Sequence, residues 1–210
     1  MITPITIVKV GTARATRALT KLSERLTALE QLDSVAHRAR GKSLFGKILT
    51  PEQVVNRILS DTRAKGDDAL VYYSKHLDGV SLTPKTLRIS DAARRAAYRR
   101  VAPTLRAALE LAAARIADYQ QRLMPNDVVN RPAKGGPLGA RAGMVWSPLR
   151  RVGLYVPGGT AAYPSSVLMN AVPAQVAGVK ELVVTTPPNR DGAISDSVLC
   201  ACEILGIREI

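Results

Sequence analysis

Residues 151–185 constrain the fold most strongly, because they read as a strand, a small-residue turn, a helix and a second strand in direct succession. The stretch RVGLYVPGG runs from an apolar strand into Pro-Gly-Gly, and YPSSVLMNAVPAQVAG then opens an apolar helix. The following ELVVTT is rich in β-branched residues and stops at two prolines. Two strands joined through a helix favour a right-handed crossover in a parallel sheet.

The pattern continues to the last residue of the chain. SDSVLCACEILG predicts a helix capped by Ser195 and closed by Gly206, and IREI predicts the start of another strand. Pro173 predicts a disturbance or restart within the first of these helices. We therefore predict an α/β protein whose residues 144–210 form a β-α-β-α-β portion of a Rossmann-like parallel sheet.

The first 130 residues predict a mostly helical region. The stretch TARATRALTKLSERLTALEQL carries one apolar face, formed by Ala15, Leu19, Leu22, Leu26 and Leu29. A second helix has a strong start signal: Thr50 as N-cap, Pro51 at the first position and Gln53 completing a capping box. We expect Leu49, Val54 and Ile58 to face inward and Gly66 to end this helix.

Further elements follow before the sheet. We predict a short helix closed by Gly79, a strand in KTLRIS, a helix capped by Ser90 or Asp91, and a helix that starts at Pro103. The Pro-, Gly- and Asn-rich stretch MPNDVVNRPAKGGPLGARAG predicts a long loop, and we take residues 131–143 as the linker before the sheet.

Charge is unevenly distributed over a chain whose formal net charge is +13. Residues 1–150 hold 26 basic and 12 acidic residues, whereas residues 151–210 hold four and five. A basic region can attract nucleic acid, and its densest cluster is Arg94, Arg95, Arg99 and Arg100. Because no aromatic residues interleave with these arginines, a solvated basic surface is favoured over nucleic-acid binding.

The remaining bulk features predict a cytoplasmic location. No window reaches the length of a membrane span, and MITPITIVKV lacks the basic and apolar regions of a signal peptide. Cys200 and Cys202 stand two apart in a predicted helix, so we expect neither a disulfide between them nor a shared metal site.

The YVPGGTAAYPSS turn suits a nucleotide, because ligands of open α/β sheets bind beyond the carboxyl ends of the strands. Gly158 and Gly159 can adopt positive φ and admit a ligand to the backbone. Ser165 and Ser166 lie at the predicted helix start, where free N–H groups favour an anion. Tyr155 and Tyr163 would each offer a flat surface for stacking and a hydroxyl. The alternative from the residues alone is purely structural: the glycines end a strand and the serines cap a helix.

The stretch PLRRVGLYVPGGTAAYPSSVLMNAVPAQVAGVKELVVTTPP, residues 148–188, resembles the signature segment of histidinol dehydrogenases. Upstream, ILSDTRAKGDDALVYYSKHLDGV and AAYRRVAPTLRAALELAAARIADYQQRL are similar to the family's helical region, in the same order. One departure is Leu77, which stands where an aromatic residue commonly precedes the Asp-Gly of this family.

The resemblance implies an enzyme that oxidises L-histidinol to L-histidine through histidinaldehyde. It implies two successive NAD molecules, a zinc ion, a Glu-His pair for proton transfer and a homodimer. It also implies that Tyr155 contacts NAD, with Pro157, Gly158, Gly159 and Ser165 as neighbours of the cofactor.

The same resemblance implies that this chain corresponds to an N-terminal half of the family. The zinc ligands and the Glu-His pair are expected beyond Ile210, so we assign no catalytic or metal-binding residue within the chain. His37 and His76, its two histidines, match no family ligand and read as surface or helix-end residues. We therefore expect no dehydrogenase turnover from the chain alone. It could instead be a non-catalytic NAD-binding or dimerisation module, or pair with the missing half.

Overall fold

The structure is a computed structural model that describes residues 11–130, 142–158, 161–189 and 191–210, without the side chains of residues 27–40 and 130. The chain divides into two compact units, Met1–Gly66 and Asp67–Ile210. Most of the predicted linker, residues 131–141, lies outside the described part, so the division at residues 131–143 stays a prediction.

The first unit contains two helices, α1 (Ala13–Phe45) and α2 (Pro51–Lys65). Ala15 on the predicted apolar face of α1 is buried, but Leu19, Leu22 and Leu26 are 52–63% exposed. The side chain of the fifth member, Leu29, lies outside the described residues. The spacing thus identified an apolar face, although all three of its described leucines lie at the surface.

The start of α2 confirms the predicted capping box. The Thr50 hydroxyl oxygen accepts a hydrogen bond from the Gln53 N–H at 3.3 Å, and the Thr50 N–H donates to Gln53 Oε1 at 3.0 Å. Pro51 occupies the first helical position, and α2 ends before Gly66, whose φ is 58°. The three residues expected to face inward, Leu49, Val54 and Ile58, are half-buried.

The second unit begins with α3 (Asp67–Tyr73), which continues into a π-helical turn at Ser74–Asp78 and stops at Gly79. Next come α4 (Asp91–Arg100), capped by the Ser90 hydroxyl, and α5 (Pro103–Leu123). These helices confirm the predicted start and stop signals. The strand predicted in KTLRIS is wrong, because the Thr86 and Leu87 N–H groups both turn back to the Thr83 carbonyl.

The stretch predicted as one long loop contains two short strands, and that prediction is therefore wrong in part. β1 (Val128–Asn130) pairs antiparallel with β2 (Ala142–Met144), and Val128 lies opposite Met144. The Pro, Gly and Asn residues around these six positions predicted a loop. They gave no indication that positions far apart in the chain pair with each other.

The predicted parallel sheet is present. β3 (Arg151–Tyr155) pairs parallel with β4 (Glu181–Thr185), and α6 (Pro164–Val176) makes the crossover between them. After α7 (Asp196–Ile204), Glu209 forms one parallel bridge to Val183, which is all that the described residues show of the last predicted strand. Strands and helices enclose a core whose largest fully buried side chains are those of Val156, Val167, Leu168, Val184, Val198, Cys200 and Cys202.

Pro173 does not interrupt α6, so the predicted disturbance there is wrong. The helix loses one backbone donor at the proline. Its inner face nevertheless stays packed, with Val167, Leu168, Ala171 and Val172 each no more than 3% exposed. Burial of this apolar face stabilises α6, so the helix stays continuous although one backbone hydrogen bond is missing.

The two cysteines are free thiols, and both side chains are fully buried in α7. Within the described ranges, no helix combines the length and apolar character that a bilayer crossing demands.

Candidate functional site

The carboxyl ends of β3 and β4 lie side by side and bring two connecting segments together. Tyr155 pairs with Thr185 in the parallel register, and the Val156 N–H donates to the Thr185 carbonyl at 2.9 Å. Beyond this point the chain from β3 leads into α6, and the chain from β4 leads into α7. This edge is where an open α/β sheet binds its ligands.

A cavity of about 150 Å³ lies between these two segments, and we call it the strand-end cavity. Its polar lining includes Thr186, Asn189 and Ser195 from the β4–α7 segment. The complete lining is Gly158, Ala161, Ala162, Thr186, Pro187, Asn189, Ala193, Ile194, Ser195 and Val198. Small side chains on the β3–α6 side leave this space open.

Gly158 is required by the protein's own packing. A Cβ at this position would lie 2.8 Å from both the Pro187 carbonyl oxygen and the Thr186 hydroxyl oxygen. Gly158 does not adopt positive φ, so that expectation is wrong. The glycine instead lets the segments after β3 and β4 approach each other and form one side of the strand-end cavity. Gly159 lies outside the described residues.

Tyr155 presents its ring to solvent rather than to the core. It is 63% exposed, whereas its neighbours Leu154 and Val156 are buried at 8% and 0%. The alternation of a strand therefore turns Tyr155 to the open face. Pro157 is also exposed, and Tyr163 before α6 is 44% exposed. Tyr155 and Pro157 do not line the strand-end cavity itself but shortly precede Gly158, which does.

The alternative interpretation of the serines, as residues that cap the helix, is wrong. α6 begins at Pro164 after Tyr163, and no side chain caps its first turn. Ser165 and Ser166 lie inside that turn, where the Ser166 N–H donates to the Tyr163 carbonyl at 3.0 Å. Ser165 is exposed. An uncapped helix start carries a partial positive charge next to Ala161 and Ala162 of the cavity.

The second wall of the cavity depends on Asn189, which the sequence reasoning missed. Its side-chain oxygen accepts the N–H groups of Asp191 and Ala193 at 3.0 and 2.9 Å. Gly192 completes this turn with a φ of 77°. The signal was present as Asn, Asp and Gly directly after the two prolines, a combination typical of a side-chain-stabilised turn.

Comparison with known proteins supplies the deciding observation. The family model for histidinol dehydrogenase matches residues 47–210. Histidinol dehydrogenase of Prochlorococcus marinus is 41% identical over 187 residues, which cover 89% of this chain and 40% of that protein. That of Deinococcus radiodurans is 44% identical over 203 residues, covering 94% and 42%. The crystal structure of histidinol dehydrogenase from Elizabethkingia anophelis superposes with a TM-score of 0.69 at 30% identity, covering 78% of this chain and 36% of that one.

The chain belongs to the histidinol dehydrogenase family. It spans about two fifths of the length of the curated relatives it matches. The match includes β3, the strand-end cavity and α7, so the described site lies within the family's own segment.

No zinc site of this histidinol dehydrogenase segment is found among the described residues. Within them, no three His, Cys, Asp or Glu side chains group so that they could hold a metal ion. His76 is exposed, its Nδ1 lies 2.7 Å from the Tyr72 carbonyl oxygen, and its ring packs against Tyr72. These contacts fit the expected helix-end histidine. The side chain of His37 lies outside the described residues.

The arginine cluster of this family member is divided between solvent and the protein interior. Arg94 is 5% exposed and bonds to the Ile207 carbonyl oxygen at 2.6 Å and to Glu203. Arg100 holds Asp196 through two hydrogen bonds of 2.8 and 2.6 Å. Two of the four arginines are thus engaged by α7, and only Arg94 among the four is buried, whereas Arg95, Arg99 and Arg100 are exposed.

The start of α7 also differs from expectation. Ser195 occupies the N-cap position but makes no side-chain cap bond, and its hydroxyl lies 3.0 Å from that of Ser197. The first residue of the helix, Asp196, is instead held by Arg100. These hydrogen bonds keep the pKa of Asp196 below its ordinary value, so the carboxylate is charged at neutral pH.

Proposed function

We propose that this chain supplies dinucleotide-binding residues to a histidinol dehydrogenase that oxidises L-histidinol to L-histidine through histidinaldehyde, using two NAD. The observation that carries this proposal is the strand-end cavity, which opens at the carboxyl edge of a parallel strand pair beside the Tyr-Val-Pro-Gly-Gly turn. Family membership supplies the reaction and its substrate. NAD, when bound, accepts the hydride, and the protein orients it.

Particular residues are suited to the dinucleotide. The exposed ring of Tyr155 offers a flat face on which an aromatic base can stack, with Pro157 beside it. Gly158 keeps the neighbouring backbone free of a side chain. Ser165 and the uncapped first turn of α6 offer a hydroxyl and a positive helix end to an anionic group. Gly159 stays a predicted neighbour of the cofactor.

The described residues offer no ligand set for the zinc ion of the family. We assign no metal ligand and no proton-transfer residue to this chain. The expectation that it turns over no histidinol by itself stays a prediction. A cytoplasmic location and a homodimer, or pairing with a separate C-terminal half, are parts of the same proposal.

A non-catalytic NAD-binding module is the second candidate, and it rests on the same cavity. Nucleic-acid binding has less support, because Arg94 and Arg100 of its proposed cluster are already bound to α7. Addition of L-histidinol and NAD to the purified chain tests the expectation, common to the first two candidates, that the chain alone is inactive. NADH formation by the chain alone would contradict our expectation that the catalytic residues of family members lie outside the segment that this chain matches.

Titration with NAD, followed by calorimetry or by NMR, tests the proposed contact of Tyr155. We expect Tyr155→Ala to weaken NAD binding roughly tenfold, because a stacked aromatic contributes about 1–3 kcal/mol per base. Tyr119→Ala is the matched control, since Tyr119 is 60% exposed on α5 and does not line the cavity. Equal NAD affinity in the wild type and Tyr155→Ala would contradict the contact. No NAD binding by the wild type would contradict the proposed function of this chain.

A further inference from the structure

Two arginines of α4 hold opposite ends of α7. Arg94, near the start of α4, reaches Glu203 at the end of α7 and the Ile207 carbonyl oxygen just beyond it. Arg100, at the end of α4, reaches Asp196 at the beginning of α7. The two helices therefore run antiparallel along this contact, with an ion pair at each end.

The spacing of the two pairs matches along both helices. The arginines are six positions apart and their acidic partners seven, which at 1.5 Å per residue is about 9 and 10.5 Å. Between the pairs, Ala97 and Ala201 are fully buried. The buried pair at Arg94 thus fixes the register in which Arg100 meets Asp196.

The outer pair lies next to the strand-end cavity. Ser195 and Val198 both line the cavity, and Asp196 lies between them in the chain. The first turn of α7 has no side-chain cap from Ser195. The forked hydrogen bonds from Arg100 are therefore a connection that holds this cavity wall to the body of the second unit.

We propose that Arg100 is a positioning residue for the strand-end cavity: through Asp196 it fixes the first turn of α7 and so the wall that Ser195 and Val198 present to the ligand. Arg100 touches no ligand in this role. The identity of the ligand as a dinucleotide rests on the proposed function. The connection from Arg100 through Asp196 to the first turn of α7, which we call the tether, does not.

An isolated exposed ion pair contributes little, because ordering two long side chains opposes the attraction. Here the packing of α4 on α7 already places Arg100 and Asp196 within reach of each other. Less side-chain conformational entropy is therefore lost when they pair. The effect is expected to be local, at the start of α7, rather than spread through the fold.

Hydrogen exchange measured by NMR tests the tether without any ligand. The Val198 and Leu199 amides both donate to the Ser195 carbonyl at 3.1 Å and report directly on the first turn of α7. We expect Arg100→Gln to speed exchange at these two amides roughly two- to fivefold. Asp196→Asn should have the same effect, and Arg100→Lys, which keeps the charge but loses the fork, a smaller one.

Arg122→Gln is the matched control, because Arg122 forms a similar exposed pair with Asp118 on α5, and neither residue lines the cavity. This variant should leave exchange at Val198 and Leu199 unchanged. Unchanged exchange in Arg100→Gln, or equal acceleration in both variants, would overturn the tether.

NAD titration of the same variants tests the positioning role. We expect Arg100→Gln to bind NAD roughly two- to fivefold more weakly than Arg122→Gln at matched thermal stability. Faster exchange with unchanged NAD affinity would overturn the positioning role. Absence of NAD binding in the wild type would instead refute the dinucleotide as ligand and the positioning role with it, and the exchange result would still decide the tether.

Discussion

Arg94, near the start of α4, donates a hydrogen bond to the carboxylate of Glu203, a residue 109 positions later in the chain. Its guanidinium also donates to the Ile207 carbonyl oxygen at 2.6 Å and pairs with Asp91 at 2.9 Å. One buried cation thereby satisfies three acceptors at the contact between α4 and the end of α7.

Replacement of Arg94 by alanine should destabilise the second unit strongly. The change leaves Glu203 and a backbone carbonyl without their donor, and removal of one partner of a buried pair costs about 3–5 kcal/mol. Since Glu203 retains some solvent contact, we expect a loss of about 3 kcal/mol in the free energy of unfolding, measured by urea denaturation. Arg95→Ala, on the exposed side of the same helix, should change it by less than about 0.5 kcal/mol. A loss below about 1 kcal/mol for Arg94→Ala would refute this account.

Replacement of Gly158 by alanine should also destabilise the protein. The added Cβ would approach the Pro187 carbonyl oxygen to 2.8 Å, so the two connecting segments must move apart. We expect a loss of about 1–3 kcal/mol in the free energy of unfolding. Gly153→Ala in β3 is the control, because nothing lies within 4 Å of its added Cβ. Similar unfolding curves for the two variants would show that the close approach is not a constraint.

The ion pair between Arg100 and Asp196 predicts a pH dependence at the acid end. Hydrogen bonding to Arg100 lowers the pKa of Asp196 from 3.8, so the folded state binds the proton more weakly than the unfolded state. The stabilisation is present at pH values above the pKa of Asp196 in the unfolded state. It disappears as the pH falls through the lower pKa of Asp196 in the folded state. The difference in unfolding free energy between the wild type and Asp196→Asn should therefore be larger at pH 7 than at pH 2. A difference that does not change with pH would contradict the pairing.

Burial of the Cys202 thiol predicts a pH dependence at the alkaline end. Desolvation raises its pKa from 9.0 to about 12, so the folded state retains a proton that the unfolded state has lost. The contribution to stability is full below about pH 9 and is lost as pH rises toward 12.

Native protein should also resist alkylation by iodoacetamide at pH 8, with both cysteines labelled only after unfolding, as mass spectrometry can follow. Rapid labelling of native protein would contradict the burial.

The local signals in the sequence predicted local structure well. The Thr50–Gln53 capping box, the helix start at Pro103 and the order strand, helix, strand, helix from β3 to α7 depend on neighbouring residues, and the structure contains them all. The sequence predictions failed where contacts between residues far apart in the chain determine the local structure. β1 and β2 pair across eleven intervening residues, and KTLRIS finds no partner strand among the described residues.

For the site, the sequence by itself determined the small-residue turn after Tyr155, its place at the end of a parallel strand and the family to which it belongs. Only the tertiary structure decided what the residues do there. Gly158 makes room for Thr186 and Pro187, Asn189 builds the opposite wall, and the exposed Arg100 pairs with Asp196 of α7. The physical reason is that propensity and capping act over a few residues of chain. Close approach, burial and ion pairing depend on where the packed core places segments that lie up to 100 residues or more apart.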